Sequence, residues 1–351
     1  MVDYQEVQTA LLAAEKFATT RNYVGPDPYD GLSSPLAALL PGRIPRQAWV
    51  QLIKRSNVKA REVLGVRPLR MAKATALFAE GYWLIGRQAE AKALGDYLLA
   101  SQNGGPWGYE FDVQTRWAYY KAGTPNVIAT AFVVRALARQ GRLHEVNPQT
   151  LEWLYSLIDP RGYFHYTNAS NALIHNGNLL AAETVAQLGG DLRTVDKAVG
   201  ITLSHQNADG SWPYGEGGNL SWVDNFHTVY VLESLKKLQQ LEIESEEALS
   251  RGVRYWEEKL FTEKSLPLYF ATDTTASTDV HNIATIVGGL STLGIGQSQP
   301  AIDHPAVKLL LDHQGSDGGF RDRENSVPFM RWNQAHAFSA LSKLVATSDK
   351  V

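Results

Sequence analysis

The sequence has no cysteine in its 351 residues. That excludes disulfides, thiol catalysis and every zinc site built on thiolates. It also lacks an excess of either charge: 33 Lys and Arg stand against 36 Asp and Glu, a formal net charge of −3. The cations are scattered along the chain, so nothing favours nucleic acid as a partner. No apolar run reaches the roughly 18 residues of a membrane span. The opening "MVDYQEVQTALLAAEKFATTRNY" has acidic residues early and no apolar run of leader length, so a cytoplasmic protein is expected. Walker A, Rossmann, HExxH and GxSxG patterns are missing too. "GEGG" at 215–218 has no strand before it to build a phosphate cradle and reads as a turn that needs positive φ.

What is present is a repeat. "LLASQNGGPWGYEF" (98–111), "ITLSHQNADGSWPYGE" (201–216) and "LLLDHQGSDGGFRDRE" (309–324) each end an amphipathic helix and then run Gln, glycine-rich turn, aromatic. Weaker copies lie at 154–167 and 259–272. The aromatics Trp107, Tyr163, Trp212, Tyr269 and Phe320 recur about every fifty residues, the range of stacked supersecondary units. After each turn comes a helix poor in charge, as in "NVIATAFVVRALARQ" (126–140) and "VHNIATIVGGLSTLG" (280–294). The helices before the turns carry a charged face, as in "SEEALSRGVRYWEEKLF" (245–261). Helices apolar nearly all round are buried and charged-face helices are peripheral, so the alternation describes inner helices ringed by outer ones. Residues 46–65 and 70–86 read as a further outer and inner pair, and 4–18 with 29–40 as an irregular first pair. The expectation is an all-α fold, an (α/α)6–7 toroid with its short aromatic turns at one rim, as one domain over residues 1–351.

The Gln–Gly–aromatic turn resembles the QW-type repeat of the terpenoid-cyclase and prenyltransferase-like toroid superfamily. "GEGGNLSWVDNFHTVYVLESL", "DVHNIATIV" and "FMRWNQAHAFSAL" look like a group of bacterial proteins that accompanies polysaccharide-biosynthesis genes. That resemblance implies work on a glycan without supplying a mechanism.

In such a ring, the outer-to-inner turns and the inner-helix N-termini gather at one mouth. That would bring together Trp107, Tyr109 and Arg116; Tyr163, His175 and Asn176; Trp212, Tyr214, Glu216 and Trp222; Asp224, Asn225 and His227; Asp279, His281 and Asn282; and Arg331, Trp332 and His336. Polar groups converging on an aromatic concavity are the usual form of a small-molecule site. A tryptophan after a glycine-rich turn also reads as a staple between hairpins, and Asp224 or Asn225 as a helix cap. Two consecutive residues cannot be the same cap, so the other needs a different reason.

Asp224 is the first choice for an acid or base, with Asp279 second and His227, His281 and Tyr214 supporting. Trp107, Tyr109, Arg116, Tyr163, His175, Trp212, Glu216, Trp222, Asn225, Asn282, Arg331, Trp332 and His336 are the expected substrate contacts. Carboxylates with imidazoles suit hydrolysis of a glycosidic bond. Lyase or epimerase chemistry needs instead a base beside a cation such as Arg331 or Arg116. The leading expectation is therefore a carbohydrate-active enzyme with an oligosaccharide or polysaccharide substrate and no cofactor.

The alternatives are an isoprenoid-handling enzyme and a non-catalytic glycan-binding toroid. Class II cyclases of the resembled superfamily protonate an alkene with the central aspartate of DxDD. The nearest match here, "DVHN" at 279–282, has His281 in that place, and the prenyltransferase zinc site needs a cysteine. A metal held by Asp279, His281 and His336 lacks supporting spacing and is not expected. An isoprenoid site should be deep and lined by aromatics, a glycan site an open groove with several hydrogen-bonding side chains. Oligomeric state has no signature in the sequence.

Overall fold

Alanine-rich and glycine-containing helices pack closely, and the sequence places them at alternate positions. In the computed structural model, which describes residues 2–102, 104–115, 119–294 and 300–348, fourteen α-helices follow one another. They are α1 (Tyr4–Thr19), α2 (Arg43–Arg55), α3 (Val58–Val63), α4 (Ala72–Leu84), α5 (Gln88–Ala100), α6 (Val127–Arg139) and α7 (Gln149–Ser156). The rest are α8 (His175–Gln187), α9 (Leu192–Ser204), α10 (Asn225–Gln239), α11 (Glu246–Lys259), α12 (Val280–Leu293), α13 (Pro305–Asp312) and α14 (Ala335–Ser348).

Helices α4, α6, α8, α10, α12 and α14 are buried on nearly every side. Each packs on the next, and α14 packs back on α4, closing a ring. Outside it, α5, α9, α11 and α13 lie against the inner helix before them, α7 lies against α8, and α1 covers α14. The ring thus has six hairpins, an α/α toroid. Two short antiparallel pairs complete the regular structure: β1 (Val24–Gly25) with β2 (Leu69–Arg70), and β3 (Val113–Gln114) with β4 (Tyr119–Tyr120).

Two expectations about the N-terminal part change. Residues 29–40 form no inner helix but two 3-10 turns, Asp30–Ser33 and Pro35–Leu39, because "SPLAALLP" is a short segment bounded by prolines. Residues 46–65 are not one outer helix either. Asn57 breaks them, its side chain accepting from the Ala60 N–H at 2.9 Å to start α3. Helix α2 joins no hairpin; it lies on the Asp30–Ser33 turn and on β3.

The repeated turn is the staple between hairpins. Gln206 Nε2 donates to the Gly210 carbonyl of its own turn and to the Ala248 carbonyl of α11, at 2.9 and 2.8 Å. Gln314 does the same to Gly318 and to Ala10 of α1. The indoles of Trp107 and Trp212 donate to the Leu98 and Thr202 carbonyls. Glycine is required at 318 because φ is +84° and a Cβ would stand 2.3 Å from the Ala13 carbonyl oxygen.

Candidate functional site

Aspartate at an inner-helix start has a local reason: its carboxylate satisfies an N–H that the first turn leaves orphaned. Asp224 Oδ1 accepts from the His227 N–H at 3.0 Å, and Asp279 Oδ1 from the Asn282 N–H at 2.9 Å. The neighbouring asparagines do different work. Asn225 donates to the Leu260 and Leu268 carbonyls and accepts from the Trp256 indole, and Asn282 donates to Leu268.

The first turns of the inner helices converge on a cavity of about 970 Å³. Lys73 comes from α4, Ile128 from α6, Asn176 from α8, Phe226 and His227 from α10, and His281 from α12. Arg331 and Trp332 come from a π-helical turn, Met330–Gln334, that leads into α14. Gln47, Val50, Gln51 and Arg55 of α2 complete the wall. Twelve of the twenty-six lining side chains are aromatic.

Three polar groups sit in this aromatic cup. The first is an ion pair: Arg331 donates through Nε and Nη2 to the two oxygens of Asp27, at 2.7 and 2.8 Å, with both residues buried. The guanidinium also faces the Tyr109 and Trp332 rings, at 4.8 and 5.6 Å.

The second group is Asp224 with its donors. Asp224 Oδ2 is 2.7 Å from His227 Nδ1 and accepts from the Trp222 indole at 2.9 Å. Tyr214 stacks on Trp222 with centroids 4.6 Å apart and touches the His227 ring. With Nδ1 on Asp224, the imidazole has Nε2 available for a ligand.

The third group forms the floor. The Tyr230 hydroxyl stands 3.0 Å from His281 Nε2, 3.4 Å from Lys73 Nζ and 3.5 Å from His336 Nε2. The hydroxyl oxygen accepts from Lys73, and its own proton lies between two imidazole nitrogens. Burial holds the Lys73 amine well below the usual lysine range, and the Arg331 charge adds to it. Burial likewise holds His281 and His336 well below the ordinary imidazole range. Nδ1 of His281 is buried without a partner, and its ring stacks on Trp332 at 4.0 Å.

Of the residues expected at the mouth, Tyr109, Asn176, Tyr214, Trp222, Asp224, His227, His281, Arg331 and Trp332 line the cavity, and His336 reaches its floor. Asp279 does not line it. It is half-buried, its carboxyl bonded by the Trp332 indole, and burial together with Asp322 pushes it above the usual carboxylate range. Trp107 and Trp212 are turned outward by their indole bonds to the preceding helices. Tyr163 is buried between Arg161 and the Asn171 carbonyl. His175 bonds Thr202 at 3.3 Å below the cup, and burial lowers it to about 3. Glu216 is exposed in an ion pair with Arg161, and Asn225 and Asn282 are tied to backbone. Arg116 lies outside the described residues.

Sequence reasoning missed Asp27, Tyr29, Lys73, Tyr166, Phe226 and Tyr230. Lys73 left a faint signal as the lone cation in the otherwise apolar "MAKATALF". Among the described residues, no three His, Asp or Glu side chains come together as a metal site, and no helix is long and apolar enough to cross a membrane.

No family model and no curated protein sequence matches the chain. Solved structures do. The type II terpene cyclase MstE from Scytonema superposes with a TM-score of 0.59 at 12% identity, over 99% of this chain and 100% of that one. The ent-copalyl diphosphate synthase from Streptomyces platensis gives 0.54 at 18% identity, over 91% of this chain and 60% of that one. An alpha-amylase from Clostridium perfringens gives 0.56 at 11% identity, over 78% and 86%. At such identities the likeness is one of fold. Six inner helices closed into a ring, and superposition along the full length of MstE, give this chain the α/α-toroid fold which that terpene cyclase has.

Proposed function

We propose that the chain is an isoprenoid-handling enzyme, which folds an elongated unsaturated molecule in the aromatic cup and lets positive charge develop there. The wall carries this reading. Twelve aromatic side chains around one cavity offer faces that attract a cation and exclude water from it. The cup's other polar groups are largely engaged with each other: Arg331 with Asp27, Asp224 with His227 and Trp222, and Tyr109 with Tyr166 at 3.2 Å. A sugar needs many free hydrogen-bonding groups, so the glycan reading has less support.

A cyclisation needs a proton delivered and a proton removed. The Asp224–His227 pair is the donor in this reading. The acceptor is the floor, where Tyr230 lies one turn further along α10 than His227, with the two ring centroids 6.4 Å apart. His281 stands where the class II motif would have its aspartate. An imidazole held neutral and bonded to Tyr230 is suited to taking a proton and not to giving one. An imidazolium is a weaker acid than an activated carboxylic acid, so the first proton goes to a group more basic than a bare alkene, such as an epoxide or carbonyl oxygen.

The test is incubation with polyprenyl diphosphates, epoxidised polyprenyl compounds and a panel of oligosaccharides, followed by chromatography with mass spectrometry. Cyclisation conserves mass and shifts retention, and Asp224→Asn should abolish it. Conversion of an oligosaccharide, with the isoprenoids untouched, would overturn the reading.

A further inference from the structure

Eight large apolar side chains are exposed among the described residues, and six of them fall within one short stretch: Leu36, Leu39, Ile44, Leu52, Val58 and Val63. Leu39, Ile44 and Val63 are 77%, 73% and 85% exposed. A clustering of this kind marks an interaction surface, since single exposed leucines are ordinary but patches are not. Helix α2 shows how it arises. Val50 and Ile53 face inward, while Ile44, Ala48 and Leu52, four residues apart, form a second apolar stripe turned to solvent.

The same stretch is basic. Arg43, Arg46, Lys54, Arg55, Lys59 and Arg67 oppose a single carboxylate, Glu62, in a chain whose net charge is −3. Arg61, the one further cation, is buried against Asp30. Arg46 and Lys54 lie over the Tyr119 and Tyr29 rings, while Arg43, Arg55, Lys59 and Arg67 are exposed. Exposed apolar side chains interspersed with exposed cations are what an anionic lipid interface takes up. A second copy is disfavoured, because two such faces repel. Gln47, Gln51 and Arg55 of the same helix border the cavity, so the mouth opens beside this surface.

We propose that the α2–α3 face is a docking surface for anionic membrane, on which the protein lies without crossing. The docking stands apart from the isoprenoid reading; only the convenience of taking a lipid-soluble substrate from the bilayer depends on it.

The test is co-sedimentation of the full chain with phosphatidylcholine vesicles and with vesicles in which about a third of the lipid is phosphatidylglycerol. Binding to the anionic vesicles alone is expected. It should fall at least about tenfold as salt is raised from about 0.1 M to about 1 M, which shortens the screening length from about 10 to about 3 Å. Ile44→Ser with Leu52→Ser should remove binding with thermal stability unchanged, since both side chains are in solvent. Leu12→Ser, on exposed α1, should leave binding intact. Equal binding to both vesicles, no binding, or indifference to the double substitution would overturn the proposal. So would a concentration-dependent mass by light scattering that the double substitution abolishes, because a second copy would then cover the face.

Discussion

Arg331 and Asp27 are joined across 304 residues of sequence by two parallel hydrogen bonds. The pair ties the segment before α2 to the π-helical turn before α14, and so fixes one wall of the cup. Removing one partner of a buried pair leaves a charge without compensation, which costs about 3–5 kcal/mol, whereas replacing both by apolar groups costs far less. Asp27→Leu alone should therefore destabilise more than Asp27→Leu combined with Arg331→Met. Urea unfolding of the four proteins of this cycle measures the coupling, and additive effects would show that the pair does not act as a unit.

Asp224 has two tasks, and they can be separated. Asp224→Ser keeps a side chain that caps α10 but removes the bond to His227 Nδ1. Thermal unfolding should change little, by about 1 kcal/mol or less, while turnover of whichever proposed isoprenoid substrate the parent converts should fall by about 100-fold or more. Turnover retained in Asp224→Ser and lost only in the cap-deleting Asp224→Ala would assign the residue to the cap alone.

Acid should act on the fold through its buried imidazoles. His175 is lowered from 6.5 to about 3, and burial also holds His281 and His336 well below the ordinary imidazole range. The unfolded chain binds protons at these sites before the folded one does. Their contribution is thus complete above the ordinary imidazole range and is lost below it, at up to about 1.4 kcal/mol per pH unit for each group. Glu110 works the other way. Its carboxylate caps α4, accepting from the Ala72 N–H at 2.6 Å, and burial raises it from 4.5 to about 7, so its contribution is lost as pH rises through that window. Asp30 and Asp279, raised by burial, act in the same sense as Glu110, while His304 is lowered like the other imidazoles. A single substitution isolates the imidazole contribution: His175→Leu should gain unfolding free energy relative to the parent as pH falls from about 7 to about 5. A difference between the two proteins that does not change with pH would contradict the assignment.

Lys73 makes a prediction of unusual sign. Its amine is buried at the cup floor and, among the described residues, has no carboxylate in ion-pair range and hydrogen-bonds the Tyr230 hydroxyl. A folded site that disfavours the ammonium stabilises least at low pH. Lys73→Met, of similar length, should raise stability by about 1–3 kcal/mol, more at pH 6 than at pH 8. The same substitution should slow turnover if the floor takes the proton. A melting temperature lowered by Lys73→Met would mean that the amine is held charged by something else.

The ring was legible because its determinants are local and repeated. A Gln, a glycine-rich turn and an aromatic recur at the spacing of one hairpin, and the alternation of charged and uncharged helices tells inner from outer. The cup was legible where chemistry sits at a helix start or in the turn before it, as at Asp224, His227 and His281 and at Tyr109, Tyr214 and Trp222. Asp27 and Tyr230 were not, because what places them in the cup is a neighbour hundreds of residues or several hairpins away. Trp107 and Trp212 misled for the opposite reason. Their local pattern is strong, but it encodes the staple to the preceding helix. Helix α2 was read as an outer helix because an amphipathic period reports that one face is covered and not what covers it.

The Gln314 bonds to Gly318 and Ala10 have a consequence for how the molecule comes apart. Open arrays of helical hairpins fray from their terminal units, which have only one neighbour. Here the last staple reaches the first helix, so no hairpin is terminal. Melting any one of them must break two seams at once. Loss of structure should therefore be all-or-none, and Gln314→Ala should introduce a gradual early phase by giving the circle an end.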